Sequence, residues 1–123
     1  MAEENIGSVK ISEEVIAGIA ATAACEVEGV IRLSSKNVSS AKDIVANYKQ
    51  IAKGVYAEAG PGVINFCVNI VIKNGVKVQD LSEKVQSNVK EAIENMTGLR
   101  VGEVNVFVVS VAADKKNIAE NND

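Results

Sequence analysis

Residues 63–72 alternate in a way that a β-strand satisfies: Ile64, Phe66, Val68, Ile70 and Ile72 fall on one side, and Val63, Asn65, Cys67, Asn69 and Val71 on the other. Side chains of a strand alternate with a period of two, so one face of this segment is wholly apolar and must be covered, while the other is half polar. The cover is encoded next. After Lys73-Asn74-Gly75 the period changes to 3.6, and Val78, Leu81, Val85, Val89, Ala92, Ile93 and Met96 form one stripe of a helix over residues 78–96, with Asp80 and Glu83 in its first turns and Gly98 past its end. Its other side, including Glu83, Lys90 and Glu94, reads as a solvated face where single charge removals shift stability by under ~0.5 kcal/mol.

The rest of the chain arranges itself around that pair. Gly60-Pro61-Gly62 between residues 55–59 and 63–72 reads as a tight hairpin. Residues 103–111 are apolar on both sides, which predicts a central strand. Near the start, residues 6–11 alternate briefly, and Ser12-Glu13-Glu14 supplies a helix cap followed by two acids. The helix that follows places Val15, Ile16, Ile19, Ala20, Ala23 and Val27 on one face and stops at Glu28-Gly29. Residues 30–33 read equally as a short strand or as the loop leaving the helix. Residues 34–40 carry loop chemistry and form the expected mobile segment. A second amphipathic helix is expected over residues 40–52, with Ala41, Ile44, Val45, Tyr48, Ile51 and Ala52 on one face and Gly54 at its end.

The expected fold class is α+β: a two-layer sandwich of a mostly antiparallel sheet with helices on one face, in the order β-α-(α)-β-β-α-β, with ferredoxin-like topology nearest. At 123 residues and 47% apolar, the chain supports one core. The expected domain plan is a flexible N-terminus over 1-5, a single domain over 6-111 and a flexible polar tail over 112-123.

Composition narrows the chemistry. With no histidine, the usual base of a nucleophilic triad and the commonest metal ligand are missing. Carboxylate pairs at Glu13-Glu14 and around Glu91 and Glu94 fall where helices carry acids anyway. Neither Gly60-Pro61-Gly62 nor Asn74-Gly75 matches a phosphate-binding loop. We expect no catalytic residue, no metal and no cofactor. A net charge of -3 gives no electrostatic reason to approach nucleic acid. Aromatics at 3%, with Tyr56, Phe66 and Phe107 lacking basic neighbours, argue against a stacking platform for RNA. Cys25 and Cys67 read as small apolar residues. Among the alternatives, a small thiol-dependent enzyme would rest on Cys67, and an RNA-binding module on the sheet face with Asn65, Asn69 and Asn105. The acidic N-terminus, without an apolar run after it, predicts a protein that stays where it is made, and no stretch approaches the ~20 apolar residues of a membrane span.

One surface stands out. Opposite the apolar stripe of the first helix, Ala17, Gly18, Ala21 and Cys25 gather where Lys and Glu would be ordinary. Such a face suits close packing, either between molecules or beneath the second helix of the same chain, and the sequence leaves both open.

Two blocks resemble a known family. Gly7-Ser8-Val9-Lys10-Ile11-Ser12-Glu13-Glu14-Val15-Ile16 with Ile19-Ala20 and Glu28-Gly29-Val30 is similar to the opening of the alkaline-shock, general-stress family of Gram-positive bacteria. Val85-Gln86-Ser87-Asn88-Val89-Lys90-Glu91-Ala92-Ile93-Glu94-Asn95-Met96-Thr97-Gly98-Leu99, continuing to Val104-Asn105-Val106-Phe107-Val108, resembles its long helix and last strand. Residues 34–40 depart from the glycine-richer loop of the family, and Gln79 stands where a proline often begins the helix. The resemblance implies a non-enzymatic envelope-stress protein, and the small-residue face of the first helix leads us to expect homo-oligomers. It also implies a protein found in the cytoplasm or at the inner membrane face through a partner, for which we expect a small membrane-anchored protein.

Overall fold

The computed structural model describes residues 10–35 and 48–112. The first helix, α1 (Glu13–Cys25), begins as its sequence indicates. Ser12 Oγ accepts a hydrogen bond from Val15 N at 3.2 Å, and Glu13 and Glu14 lie in the electropositive first turn. Its buried side is built mostly of alanines: Ala17, Ala20, Ala23 and Ala24, with Ile16 and Val27 at the edges. Val15, expected inside, is 52% exposed. Small side chains let the helix lie close on its neighbours, so the alanines set the packed side and turn the bulkier Val15 outward.

Strands β1 (Val30–Leu33), β2 (Lys49–Ala52), β3 (Val55–Gly60) and β4 (Val63–Lys73) follow, then α2 (Val78–Thr97) and β5 (Val101–Ala112). Residues 30–33 are therefore a strand. Two element assignments differ from expectation. Lys10, Ile11 and Ser12 form no strand, and residues 6–9 of the expected first strand lie outside the described residues. The end of the expected helix over 40–52 is instead β2, with Lys49 opposite Ala57, Gln50 opposite Tyr56 and Ala52 opposite Val55. Backbone pairing along the edge of β3 outweighs a weak helical period over these last residues. Residues 36–40 of the expected loop, 40–47 of that helix and 113–123 of the expected tail also lie outside the described residues.

β4 is the centre of the five-stranded sheet. Along one edge β5 runs parallel to it, from Ile64 opposite Val101 to Lys73 opposite Ala112, and α2 makes the crossover that a parallel pair requires. The other edge is shared end to end by two antiparallel strands, β3 over Val63 to Val68 and β1 over Ile70 to Ile72. They meet at Asn69, whose N donates to Gly54 O at 2.9 Å and whose O accepts from Ser34 N at 3.0 Å. Gly54 has φ 74°, and a Cβ there would stand 2.9 Å from both Leu33 Cβ and Ser34 N. That junction requires glycine. The β3–β4 hairpin closes over Pro61 and a positive-φ Gly62, the residue pattern of a type II turn.

The main core lies between this sheet and the two helices. Phe66, Val68, Ile70 and Ile72 of β4 pack with Ala20 and Ala24 of α1 and with Leu81, Val85, Val89 and Ile93 of α2. The architecture is thus the α+β two-layer plan expected from the sequence, a mostly antiparallel sheet with both described helices on one face. β5, expected to be central, has β4 as its one strand partner among the described residues. Its two apolar sides reflect a helix layer beneath and a second small cluster above, not strands on both edges.

Candidate functional site

Two surfaces were singled out by the sequence: the half-polar face of the sheet, and the small-residue side of α1. On the sheet face, Tyr56 and Cys67 are buried against Tyr48 and Phe107. Asn105 Nδ2 donates to Tyr48 Oη at 3.2 Å and to Phe66 O at 3.4 Å. Asn65 Oδ1 accepts from Glu103 N at 2.8 Å, and it sits so near Gly102 that any Cβ there would collide with it. Two of the three strand asparagines therefore serve the sheet itself. The third, Asn69, is 0% exposed. The Cys67 thiol lies 3.9 Å from its Oδ1, and its Nδ2 has no hydrogen-bond partner among the described residues.

The electrostatics of this face are unfavourable to nucleophiles and to anions alike. Burial pushes the Cys67 thiol up to about 11, so it stays protonated at neutral pH. Burial also raises Tyr48, with further contributions from Glu58 and Glu103, and it raises Tyr56. Among the described residues, no group of three or more His, Cys, Asp or Glu could hold a metal ion.

The four small residues of α1 do not share one environment. Ala17 is 2% exposed, buried by the fold itself, and Ala21 is half-buried against the core. Gly18 and Cys25 are exposed, and a Cβ added at Gly18 would meet nothing within 4 Å. Burial raises the Cys25 thiol as well.

Gly18 instead belongs to a feature that periodicity did not reveal. It lies in an open groove of about 430 Å³ between α1 and α2, lined also by Val15, Ile19, Thr22, Ala23, Ala92 and Met96, with Glu14 and Glu26 at its borders. Val15 and Met96 are 52% and 69% exposed, which is unusual for large apolar side chains standing together. Val15, Ile19 and Met96 all fall on the core stripes read from the sequence. The available signal was Gly18 itself, a mid-helix glycine flanked by Val15 and Ile19.

The helices run in opposite directions past this groove, the start of α1 lying beside the end of α2. Farther along, Asn88 Nδ2 ties the middle of α2 to the end of α1, donating to Ala23 O at 2.7 Å and to Glu26 Oε1 at 3.5 Å. A second opening of about 560 Å³ shares Glu26 with the groove and is lined also by Val27, Glu28, Asp80, Glu83, Lys84, Ser87 and Asn88. The cleft is therefore apolar at one end and acidic at the other. Among the described residues, no helix is long and apolar enough to cross a membrane.

Comparison with known proteins fits the two sequence blocks noted above. Residues 1–113 match the ASP23 family, described by its cell envelope-related function. The uncharacterized protein YqhY of Bacillus subtilis is 31% identical over 116 residues, covering 93% of this chain and 84% of that protein. A stress response regulator gls24 homolog of Streptococcus pyogenes is 28% identical over 114 residues, covering 93% of this chain and 64% of that protein. Among solved structures, a variant of the MamM C-terminal domain aligns with TM-score 0.46 at 15% identity, over 85% of this chain and 100% of that domain. The match spans nearly the whole chain, and the chain belongs to the ASP23 family of cell envelope-related proteins.

Proposed function

We propose that this protein is a non-enzymatic component of envelope homeostasis under stress, and that it works by associating with itself and with protein partners at the inner face of the membrane. The observation that carries this reading is the apolar groove above Gly18, where the large apolar side chains Val15 and Met96 stand exposed together. The envelope-related family and the stress-response name of its relatives support the setting.

Two other activities have weaker support. A thiol enzyme needs a thiolate, and Cys67 is 1% exposed with its pKa pushed up to about 11. An RNA platform needs open rings in a basic field, whereas Tyr56 is buried and Glu58 and Glu103 are the charges that act on Tyr48.

The test compares the protein with Val15→Glu and Met96→Glu in pull-downs from native cytoplasmic and membrane fractions, alongside light scattering. Both side chains are exposed, so the variants keep the fold. The expected result is recovery of the protein itself and a small membrane-anchored protein, with the membrane-anchored protein lost in the variants. Recovery of a soluble metabolic enzyme alone would overturn the envelope assignment, and unchanged recovery with either variant would overturn the groove as the contact surface.

A further inference from the structure

Gly18 has no role in the fold that would require a glycine. Its φ is not positive, no neighbour lies where a Cβ would go, and a mid-helix glycine weakens a helix relative to alanine. Glycine is otherwise useful where another backbone or ligand approaches closely. The space above Gly18 is the floor of the apolar end of the cleft, framed by the exposed Val15 and Met96.

The shape of the cleft defines what can fill it. It lies between two antiparallel helices, and α1 with 13 residues is ~20 Å long, the span of three to four turns of a third helix laid along it. A helix in such a groove presents anchors at i, i+3, i+4 and i+7, and the absence of a side chain at Gly18 lets its backbone come close. The charge pattern then distinguishes among helices. At the far end Glu26, Glu28, Asp80 and Glu83 face one cation, Lys84. A second copy of this chain docked with the two clefts in register would bring its own acidic lip against these carboxylates, and like charges brought together cost affinity. An anionic membrane surface is disfavoured for the same reason.

We propose that the cleft between α1 and α2 is a receptor for an amphipathic helix of a partner protein, whose apolar face sits on Gly18, Val15 and Met96 and whose Lys/Arg cluster lies against Glu26, Glu28, Asp80 and Glu83. This rests on the association reading above and specifies the partner's chemistry at the same surface.

The experiment measures fluorescence anisotropy of labelled helical peptides carrying a leucine-alanine stripe, one ending in a run of lysines and one in a run of glutamates. The full chain is titrated into each. Saturable binding of the lysine peptide is expected, at least ~10-fold tighter than the glutamate peptide and weakened by salt. Gly18→Leu fills the floor with a good helix former in open space, and it should abolish binding while the thermal melt is retained. The pair Glu28→Lys and Glu83→Lys should lower affinity for the lysine peptide by at least ~10-fold and reverse the preference. Equal binding of the two peptides, no binding of either, or an unaffected Gly18→Leu protein would overturn the proposal. So would Gly18-dependent binding to phosphatidylglycerol vesicles in place of the peptide. The two readings separate cleanly: partners captured by the wild type and lost in Met96→Glu, without any charge preference among the peptides, leave association standing and remove this inference.

Discussion

Cys67 illustrates how position sets chemistry at the scale of one residue. In the unfolded chain its thiol titrates near 9.0, whereas burial in the sheet raises it to about 11. Between those values the unfolded state sheds a proton that the native state keeps, so stability present below about pH 9 is lost as pH rises through about 11. A gap of this size corresponds to about 2 to 3 kcal/mol. Tyr48 and Tyr56, raised chiefly by burial, act in the same direction. Denaturant unfolding at about pH 8 and about pH 10.5 should show the loss, and Cys67→Ala should reduce its slope; an identical slope in the variant would show that Cys67 does not carry it. Gly18 makes an opposite kind of prediction. Gly18→Ala should raise stability by about 0.4 to 1 kcal/mol in a thermal melt, because helical backbone and open space are both present. A fall in stability would mean that the fold does need the glycine.

At the scale of elements, α2 is held on both of its long sides. Val89 and Ile93 are 0% exposed in the main core, and an aspartate at either place would bury a charge without a partner. That costs several kcal/mol against a total of about 5 to 15, so Val89→Asp and Ile93→Asp should be unfolded by circular dichroism. The polar side of α2 is less uniform than its pattern suggests. Glu83 is exposed and Glu83→Ala should change stability by under ~0.5 kcal/mol. Glu94 differs, since its Oε2 accepts from Val101 N at 2.9 Å and so pins the start of β5 to the helix. Glu94→Ala should cost about 1 to 2 kcal/mol, well above the value expected for a solvated helix charge. Equal melting temperatures for the Glu83 and Glu94 variants would show that this cap is not formed in solution. On α1, Ala21 packs against the core, so Ala21→Glu should lower the melting temperature where Gly18→Ala raises it.

For the whole molecule, the main core draws on both helices and on β3, β4 and β5 together, and β4 touches three other strands. Layers that share one core unfold together. Near-ultraviolet and far-ultraviolet signals should therefore report one coincident transition, and separated transitions would show that the sheet and the helix layer are independent units. The same layering explains the two surfaces. One sheet face is consumed by the helices, and the other is partly closed by Tyr48, Tyr56, Cys67 and Phe107. The outer side of the helix pair remains, and there the cleft runs from apolar to acidic.

The sequence by itself determined what repetition along the chain encodes. The alternation at Phe66, Val68 and Ile70 specified a strand with that side in the main core, though Cys67, Asn69 and Val71 on its half-polar side are buried as well. The stripe from Leu81 to Ile93 specified the helix over it, and Gly62 and Gly98 marked their ends, because period and turn chemistry are local properties. The family, too, was legible in the blocks around Glu13-Glu14 and Met96-Thr97-Gly98-Leu99. What the tertiary structure decided was which of several locally equivalent options won. Lys49, Gln50 and Ala52 joined a strand because the edge of β3 offered backbone partners that no local pattern can announce. Val15 and Met96 read as core members because periodicity records that a residue is apolar, not whether a neighbour arrives to cover it. The alanines of α1 packed closely enough to leave those two outside, and only the meeting of two helices distant in sequence made a cleft of them.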